Sequence, residues 1–329
     1  LLLKIRNYRV DILPNSIVEY LAITKTRVKF LKLDTSPESL RKQSLLIEFM
    51  PTETRGFITI LTGLYPFQDC IHFLAAIRKF HQEPIIILID RVPTVLYPLL
   101  KAFKNVILKP APANENTVLA SRQAKLALYG ASEFDKTIYL DSDICLLTDI
   151  NDVFDFLDEY DLLLTEDVQP AIVKATNLLR GKQEELLPHV LPILQSVGFP
   201  LQADSVQYNS GFMAFRKTEI NKVFFDEFQR YFEIVKNNQD KLLLKDQGAF
   251  ASAMVSVHPH MKILPPTYNY LSKWQDAYNL EDKVKVLHCT YPYRPQYAKN
   301  ITRSLYTRIF DRFAKVFLPN QVTNPWRTK

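Results

Sequence analysis

Asp141 and Asp143 stand one residue apart in Tyr139-Leu140-Asp141-Ser142-Asp143-Ile144, just past the apolar run Thr137-Ile138-Tyr139-Leu140. Successive side chains of a strand point to opposite faces, so extended backbone through Ser142 would set both carboxylates on one side. Two hard oxygen ligands at a strand end can hold Mg²⁺ or Mn²⁺, and the cation can hold a diphosphate. The pair alone is equally compatible with an acidic turn ahead of the next helix. Its surroundings have to decide.

Those surroundings alternate. Phe57 to Thr62 reads as a buried strand, and Phe67 to Phe80 sets Phe67, Ile71, Leu74 and Ile77 at helical spacing. Pro84 to Ile89 is a second strand, Pro93 to Phe103 a short helix, and Asn105 to Leu108 a third strand. Thr117 to Tyr129 reads as a helix stopped by Gly130, and Thr137 to Leu140 as a fourth strand. This order predicts an α/β fold with a mainly parallel central sheet covered by helices. Ligands of such sheets bind outside the C-terminal strand ends, where Asp141 and Asp143 fall.

The second half is less regular. Asp161 to Thr165 and Val206 to Phe215 read as strands. Pro170 to Gly198 reads as one or two helices, within a helical insertion spanning 167–204. Glu219 to Lys236 and Lys245 to Val255 are further helices, and Val284 to His288 a last strand. Residues 1–56 read as a separate extension of unassigned role, with a strand around Val28, Phe30 and Leu33 and a helix start at Ser36-Pro37-Glu38. Residues 57–299 form the main domain. In 300–329, Ile301, Leu305, Ile309, Phe313 and Val316 share one face of a basic amphipathic helix. Such a helix can dock on its own domain or touch a membrane surface.

Composition narrows the function classes. The 329 residues are 47% hydrophobic and 23% charged, ordinary for a globular protein. No apolar run approaches the ~18 to 20 residues of a spanning helix. The net charge of +6 favours anionic partners such as nucleotides or phosphates. It is too diffuse for nucleic acid, and no recognition helix, ribonucleoprotein motif or zinc finger is present. Three scattered cysteines, Cys70, Cys145 and Cys289, fit a reducing, cytoplasmic setting better than a disulfide framework. The sequon Asn300-Ile301-Thr302 and the start at Leu1 leave room for secretion or a removed anchor.

Five ordered blocks between about residues 57 and 295 resemble the retaining glycosyltransferases of family eight, which include glycogenin and bacterial lipooligosaccharide galactosyltransferases. Thr59-Ile60-Leu61-Thr62 with Tyr65 is similar to the family's nucleotide-binding first strand. Lys125 sits where the family carries a helix lysine near the diphosphate. Tyr139 to Asp149, continuing Ile150-Asn151-Asp152-Val153-Phe154, follows the D-x-D strand and the helix after it. Tyr208-Asn209-Ser210-Gly211-Phe212 is similar to F-N-S-G-V. Asp246-Gln247-Gly248, then His288 with Arg294-Pro295, follow D-Q-G and H-x5-K-P. The chain departs from the family at Gly63, at Tyr291 where a glycine is usual, and at Arg294 where lysine is usual.

The resemblance implies a GT-A fold and a UDP-sugar donor, with transfer of glucose, galactose or a relative to a hydroxyl acceptor. Asp141, Asp143 and His288 would hold Mn²⁺ (or Mg²⁺). An imidazole beside two carboxylates favours Mn²⁺. Thr59, Leu61, Thr62, Tyr65, Lys125, Asp141, Ser142, Asn209, Ser210 and Arg294 would contact the donor. Lys125 and Arg294 would neutralise the leaving phosphate, and Arg122 on the same helix is a second candidate. Asp246 and Gln247 would lie by the donor sugar as the catalytic pair, although Asp246 also suits a helix N-cap. Two other readings compete: a nucleotidyltransferase on a similar sheet, and a catalytically silent nucleotide-sugar binder. The segment Leu61 to Pro66 is not the Gly-rich loop of the former. Oligomeric state is not legible.

Overall fold

The strand alternation at Phe57 to Thr62 sets the layering of the molecule. In the computed structural model, which describes residues 2–5, 8–11, 19–24, 27–32, 53–64, 66–112, 117–278 and 282–289, the chain divides into two compact units, Leu1–Thr52 and Glu53–Lys329. The first contains two antiparallel hairpins. One pairs β1 (Leu2–Ile5) with β2 (Tyr8–Asp11), and the other β3 (Glu19–Thr24) with β4 (Arg27–Lys32). The expected helix start at Ser36 and the C-terminal helix lie outside the described residues.

The second unit runs through β5 (Arg55–Thr62), α1 (Phe67–Ile77), β6 (Ile85–Asp90), α2 (Tyr97–Lys101), β7 (Val106–Pro110), α3 (Thr117–Leu126), α4 (Leu128–Ala131) and β8 (Lys136–Leu140). It continues through β9 (Ile144–Leu146), α5 (Asn151–Phe156), β10 (Leu162–Ala171), α6 (Gln183–Leu186), α7 (Val190–Ser196) and β11 (Val206–Arg216). The final described elements are α8 (Glu219–Asn237), α9 (Gln247–Val257), β12 (Met261–Ile263), β13 (Tyr270–Leu271) and β14 (Val286–His288).

The central seven-stranded sheet has the order β12-β10-β11-β8-β5-β6-β7. Its β5–β8, β5–β6 and β6–β7 pairs are parallel, as the alternating pattern predicts. β11 runs antiparallel to both β8 and β10. The C-terminal half of β11, Phe212 to Arg216, pairs with β8, and its N-terminal part runs on past the C-terminal end of β8. A second sheet, β13-β14-β9, sits next to it.

Two apolar layers flank the central sheet. Ile58, Ile60, Tyr139, Met213 and Phe215 face α8 and α9, while Phe57, Leu61, Ile138, Leu140 and Phe212 face α1 and α5. Phe224 and Phe228 of α8 meet Phe250 of α9 edge to face, each at 5.1 Å between ring centroids. Burying such a ring contributes about 1.5–3 kcal/mol. α1 is buried along its whole length because it is covered twice: by the central sheet and, through Ala76, by Cys145 and Leu287 of the small sheet.

Local readings differ in two places. β10 extends to Ala171 because Ala171 pairs with Val206, and the following stretch breaks into short helical pieces rather than one or two helices. Gly130 does not stop a helix: it lies inside α4, which ends at Ala131 with Ser132 extended. No helix among the described residues is long and apolar enough to cross a membrane.

Candidate active site

β8 ends at Leu140, whose carbonyl accepts the Thr59 hydroxyl at 2.8 Å. The strand does not continue through the two aspartates. Ile144 N–H donates to the Asp141 carbonyl at 3.1 Å, closing a tight turn over Asp141 to Ile144. Strand alternation is thus the wrong reason for the carboxylates to converge; the turn brings them together. The small sheet then delivers the third group. His288 pairs with Ile144 across β14–β9, and Cys289 N–H donates to the Asp143 carbonyl at 2.9 Å.

One ligand atom from each of Asp141, Asp143 and His288 lies within 4.8 Å of the others. His288 Nε2 is 3.3 Å from Asp143 Oδ1 and 4.0 Å from Asp141 Oδ2. Burial opposes charge on the imidazole, but Asp143 and Asp141 outweigh it and hold the His288 pKa above the ordinary value. Asp141 divides its two oxygens: Oδ1 accepts the Tyr139 hydroxyl and faces Lys125 Nζ at 3.3 Å, which leaves Oδ2 toward His288.

Lys125 joins this cluster to a second one. Its ammonium, carried on α3, is buried, lies 3.5 Å from Asp246 Oδ2 and donates to Ser210 Oγ at 3.2 Å. Burial alone would lower its pKa, yet Asp141 and Asp246 raise it. Burial likewise works against the Asp246 carboxylate, and Lys125 with the Ser210 hydroxyl, 2.8 Å away, reverses that and lowers its pKa. Asp246 occupies the N-cap position of α9, but its side chain makes no capping bond.

Ser210 is aimed by an irregularity in β11. The register with β10 passes from Leu164 opposite Met213 to Glu166 opposite Tyr208, so several β11 residues face very few on β10. Such a break in the ladder re-aims side chains. Asn209, Ser210 and Gly211 occupy it. Gly211 leaves room for the cluster: a Cβ there would fall 2.5 Å from His288 Cε1 and 2.8 Å from Asp141 Oδ2.

A hydrogen-bonded layer lies behind these groups. Asn209 Oδ1 accepts Gly211 N–H and Asn269 Nδ2, each at 3.0 Å. Asn269 Nδ2 also donates to Thr165 Oγ1 at 2.9 Å, and Asn269 Oδ1 lies 3.0 Å from His288 Nδ1. The Asn209 amide also donates to Asp167, whose pKa burial raises. Gln247 Nε2 donates to Asp167 Oδ2 at 2.8 Å, which fixes the glutamine amide at the start of α9.

Thr62, Lys125, Asp141, Ser142, Asp143, Asn209, Ser210, Asp246, Gln247 and His288 line one cavity of about 570 Å³. Thr59 and Leu61 do not. Alternation along β5 turns them to the opposite face from Ile60 and Thr62, and both are fully buried. Tyr65 and Arg294 lie outside the described residues. Arg122 lines the cavity beside Lys125, as do Asp69, Ser121, Tyr139, Gly211 and Leu271. Sequence reasoning missed Asp167, Thr165 and Asn269. Their types are ordinary for loops and strand ends, and their partners are far away in sequence.

The arrangement fits a divalent cation. Two carboxylates and one imidazole converge, and Gly211 keeps the space beside them clear of a Cβ. Its positive neighbours, Lys125 and Arg122, suit a phosphate-bearing ligand in the same cavity. All three cysteines are buried and none is in a disulfide.

No family model and no curated protein matches the chain by sequence. Solved structures do. The bifunctional glycosyltransferase WbbM superposes with a TM-score of 0.54 at 15% identity, over 80% of this chain and 52% of that one. Mouse xyloside xylosyltransferase 1 gives 0.51 at 15% identity, over 74% and 99% of the two chains. The galactosyltransferase LgtC, solved with donor and acceptor sugar analogs, gives 0.51 at 14% identity, over 83% and 99%. The chain thus spans about half of WbbM and nearly all of the other two. What it shares with these glycosyltransferases is their GT-A fold.

Proposed function

We propose that this chain is a divalent-cation-dependent glycosyltransferase. It moves a hexose from a UDP-sugar to a hydroxyl acceptor on a glycan, a lipid-linked glycan or a protein, with retention of anomeric configuration. The observation that carries the reading is the convergence of Asp141, Asp143 and His288 at the end of β8, in one cavity with Lys125 and Asp246. The family-eight resemblance supports the donor and the stereochemistry.

Asp141, Asp143 and His288 would hold the cation, which supplies Lewis-acid neutralisation of charge on the departing diphosphate. Lys125 and Arg122 place fixed positive charge in the same cavity, where a leaving phosphate needs it. Asp246 stays ionised beside Lys125 and accepts hydrogen bonds from sugar hydroxyls. Gln247, steadied by Asp167, lies on the sugar side. Transfer breaks the bond from C1 to the phosphate oxygen and forms one from C1 to the acceptor oxygen. The acceptor proton passes to the departing diphosphate, so attack and departure share one face. A glycosyl adduct trapped on Asp246 would replace this route with a double displacement.

The transferase unit is taken as 57–299, with 1–56 an extension. The basic amphipathic sequence pattern of 300–329 suits either docking on the chain's own domain or peripheral membrane contact, and liposome co-sedimentation with and without these residues decides between them. The function is tested by incubating the protein with Mn²⁺ and a panel of UDP-, GDP- and CMP-sugars and measuring nucleotide release. Release from one UDP-sugar, lost in Asp143→Ala, supports the reading. Donor binding without release or transfer to any acceptor would make it a silent binder, and pyrophosphate release from a nucleoside triphosphate a nucleotidyltransferase.

A further inference from the structure

Asn269 is buried and touches His288, Asn209 and Thr165. The proton positions of this group can be deduced from one fixed point. A backbone N–H can only donate, and Gly211 N–H is directed at Asn209 Oδ1. The atom of Asn209 facing Gly211 is therefore its oxygen. The same oxygen faces the Asn269 amide at 3.0 Å, so Asn269 must present its NH₂ there. The second NH₂ hydrogen goes to Thr165 Oγ1. What Asn269 then turns toward His288 Nδ1 is its oxygen, an acceptor.

We infer that Asn269 is the positioning residue of the cation site: its oxygen accepts a hydrogen bond from His288 Nδ1–H and so turns Nε2 toward Asp141 and Asp143 as the ligating atom. An imidazole with its proton on Nε2 would aim a hydrogen at those carboxylates and could not ligate. Metal-bound histidines are generally held this way, by an acceptor on the other ring nitrogen. Here a side-chain amide fills that role, itself held by Asn209 and Thr165. The inference rests on the cation reading above, but its first test does not need a cation.

That test is long-range ¹⁵N–¹H NMR of His288 in the metal-free protein, comparing the wild type with Asn269→Leu. The Nδ1 proton is expected to be hydrogen-bonded and slow to exchange in the wild type and fast to exchange in Asn269→Leu. An Nδ1 proton that exchanges equally fast in both overturns the inference, whatever the protein binds. The second test is Mn²⁺ binding, read by EPR of the free ion, in the wild type, Asn269→Asp and Asn269→Leu. Leucine has a similar volume and no acceptor, and its Mn²⁺ affinity should fall about 10- to 100-fold. Aspartate keeps the acceptor but buries a charge, and should bind Mn²⁺ more tightly than leucine does. A merely structural Asn269 predicts the reverse order, because leucine packs without a buried charge. Leucine at wild-type affinity, or aspartate below leucine, would refute the role. If the wild type binds no Mn²⁺ while its Nδ1 proton is slow to exchange, the cation reading fails and the assignment of the hydrogen bonds survives.

Discussion

Gly211→Ala is a one-carbon test of the cation site. The added Cβ would lie 2.5 Å from His288 Cε1, 2.8 Å from Asp141 Oδ2 and 3.0 Å from Asn209 Oδ1. Carbon atoms in good contact sit about 3.5–4.0 Å apart, so the imidazole must retreat by about 1 Å. It cannot do so alone, because Nδ1 is tied to Asn269 and the backbone of β14 is paired with β9. Gly211 is not among the glycines with positive φ, so alanine meets no backbone strain of its own. Overpacking of this kind costs about 1–3 kcal/mol of stability. The functional cost is larger: an angstrom of misplacement reduces turnover about 100-fold, and Mn²⁺ affinity should fall about 10- to 100-fold. Thermal melting, EPR titration of Mn²⁺ and nucleotide release from the donor separate the two costs. Gly130→Ala is the control, since a Cβ there meets nothing within 4 Å. Wild-type Mn²⁺ affinity in a folded Gly211→Ala protein would refute the proposed geometry.

Lys125→Met leaves Asp246 buried without its ammonium and should cost up to about 3 kcal/mol at neutral pH, measured by urea unfolding. Asp246 has its folded pKa lowered by Lys125, so its contribution is present above the ordinary aspartate pKa and lost as pH falls. The gap between wild type and Lys125→Met should therefore close in acid. Asp246→Asn should reduce nucleotide release about 100-fold while circular dichroism stays native, because asparagine can still accept the Ser210 hydroxyl. Away from the site, Glu83 is held down to about 2, first by His81, whose Nδ1 lies 3.4 Å from Glu83 Oε2, against burial, with Arg55 2.6 Å away. Its folded pKa lies below the unfolded ~4.3, so its stabilisation is full above that value and is lost as pH falls toward 2. Glu83→Gln should cost about 1–2 kcal/mol at pH 7, after allowance for the partly exposed Arg55, and almost nothing near pH 2.

The parallel half of the sheet was readable because strands such as Ile85 to Ile89 and helices such as Phe67 to Ile77 carry their periods locally. The antiparallel direction of β11 was not, because direction is set by a partner strand distant in sequence, Phe212 opposite Leu140, and not by the apolar pattern. The spacing of Asp141 and Asp143 is visible in the sequence, but a turn rather than extended backbone brings the two carboxylates together. His288 came only from the ordered blocks, since nothing local connects it to Asp143. Thr59 and Leu61 share one face of β5 while Ile60 and Thr62 share the other, so strand alternation alone puts only one of these pairs on the cavity side. Asn269 and Asp167 had no local signal. Their roles exist only where β10, β11 and the small sheet meet.

The central claim is that Asp141, Asp143 and His288 hold a divalent cation at which the diphosphate of a nucleotide sugar is bound. Crystals grown with Mn²⁺ and UDP, measured for anomalous scattering at the manganese edge, address it directly. The account predicts a single strong peak among the three side chains, with diphosphate density reaching toward Lys125. Manganese elsewhere, or UDP bound in the cavity with no manganese at these residues, would contradict it.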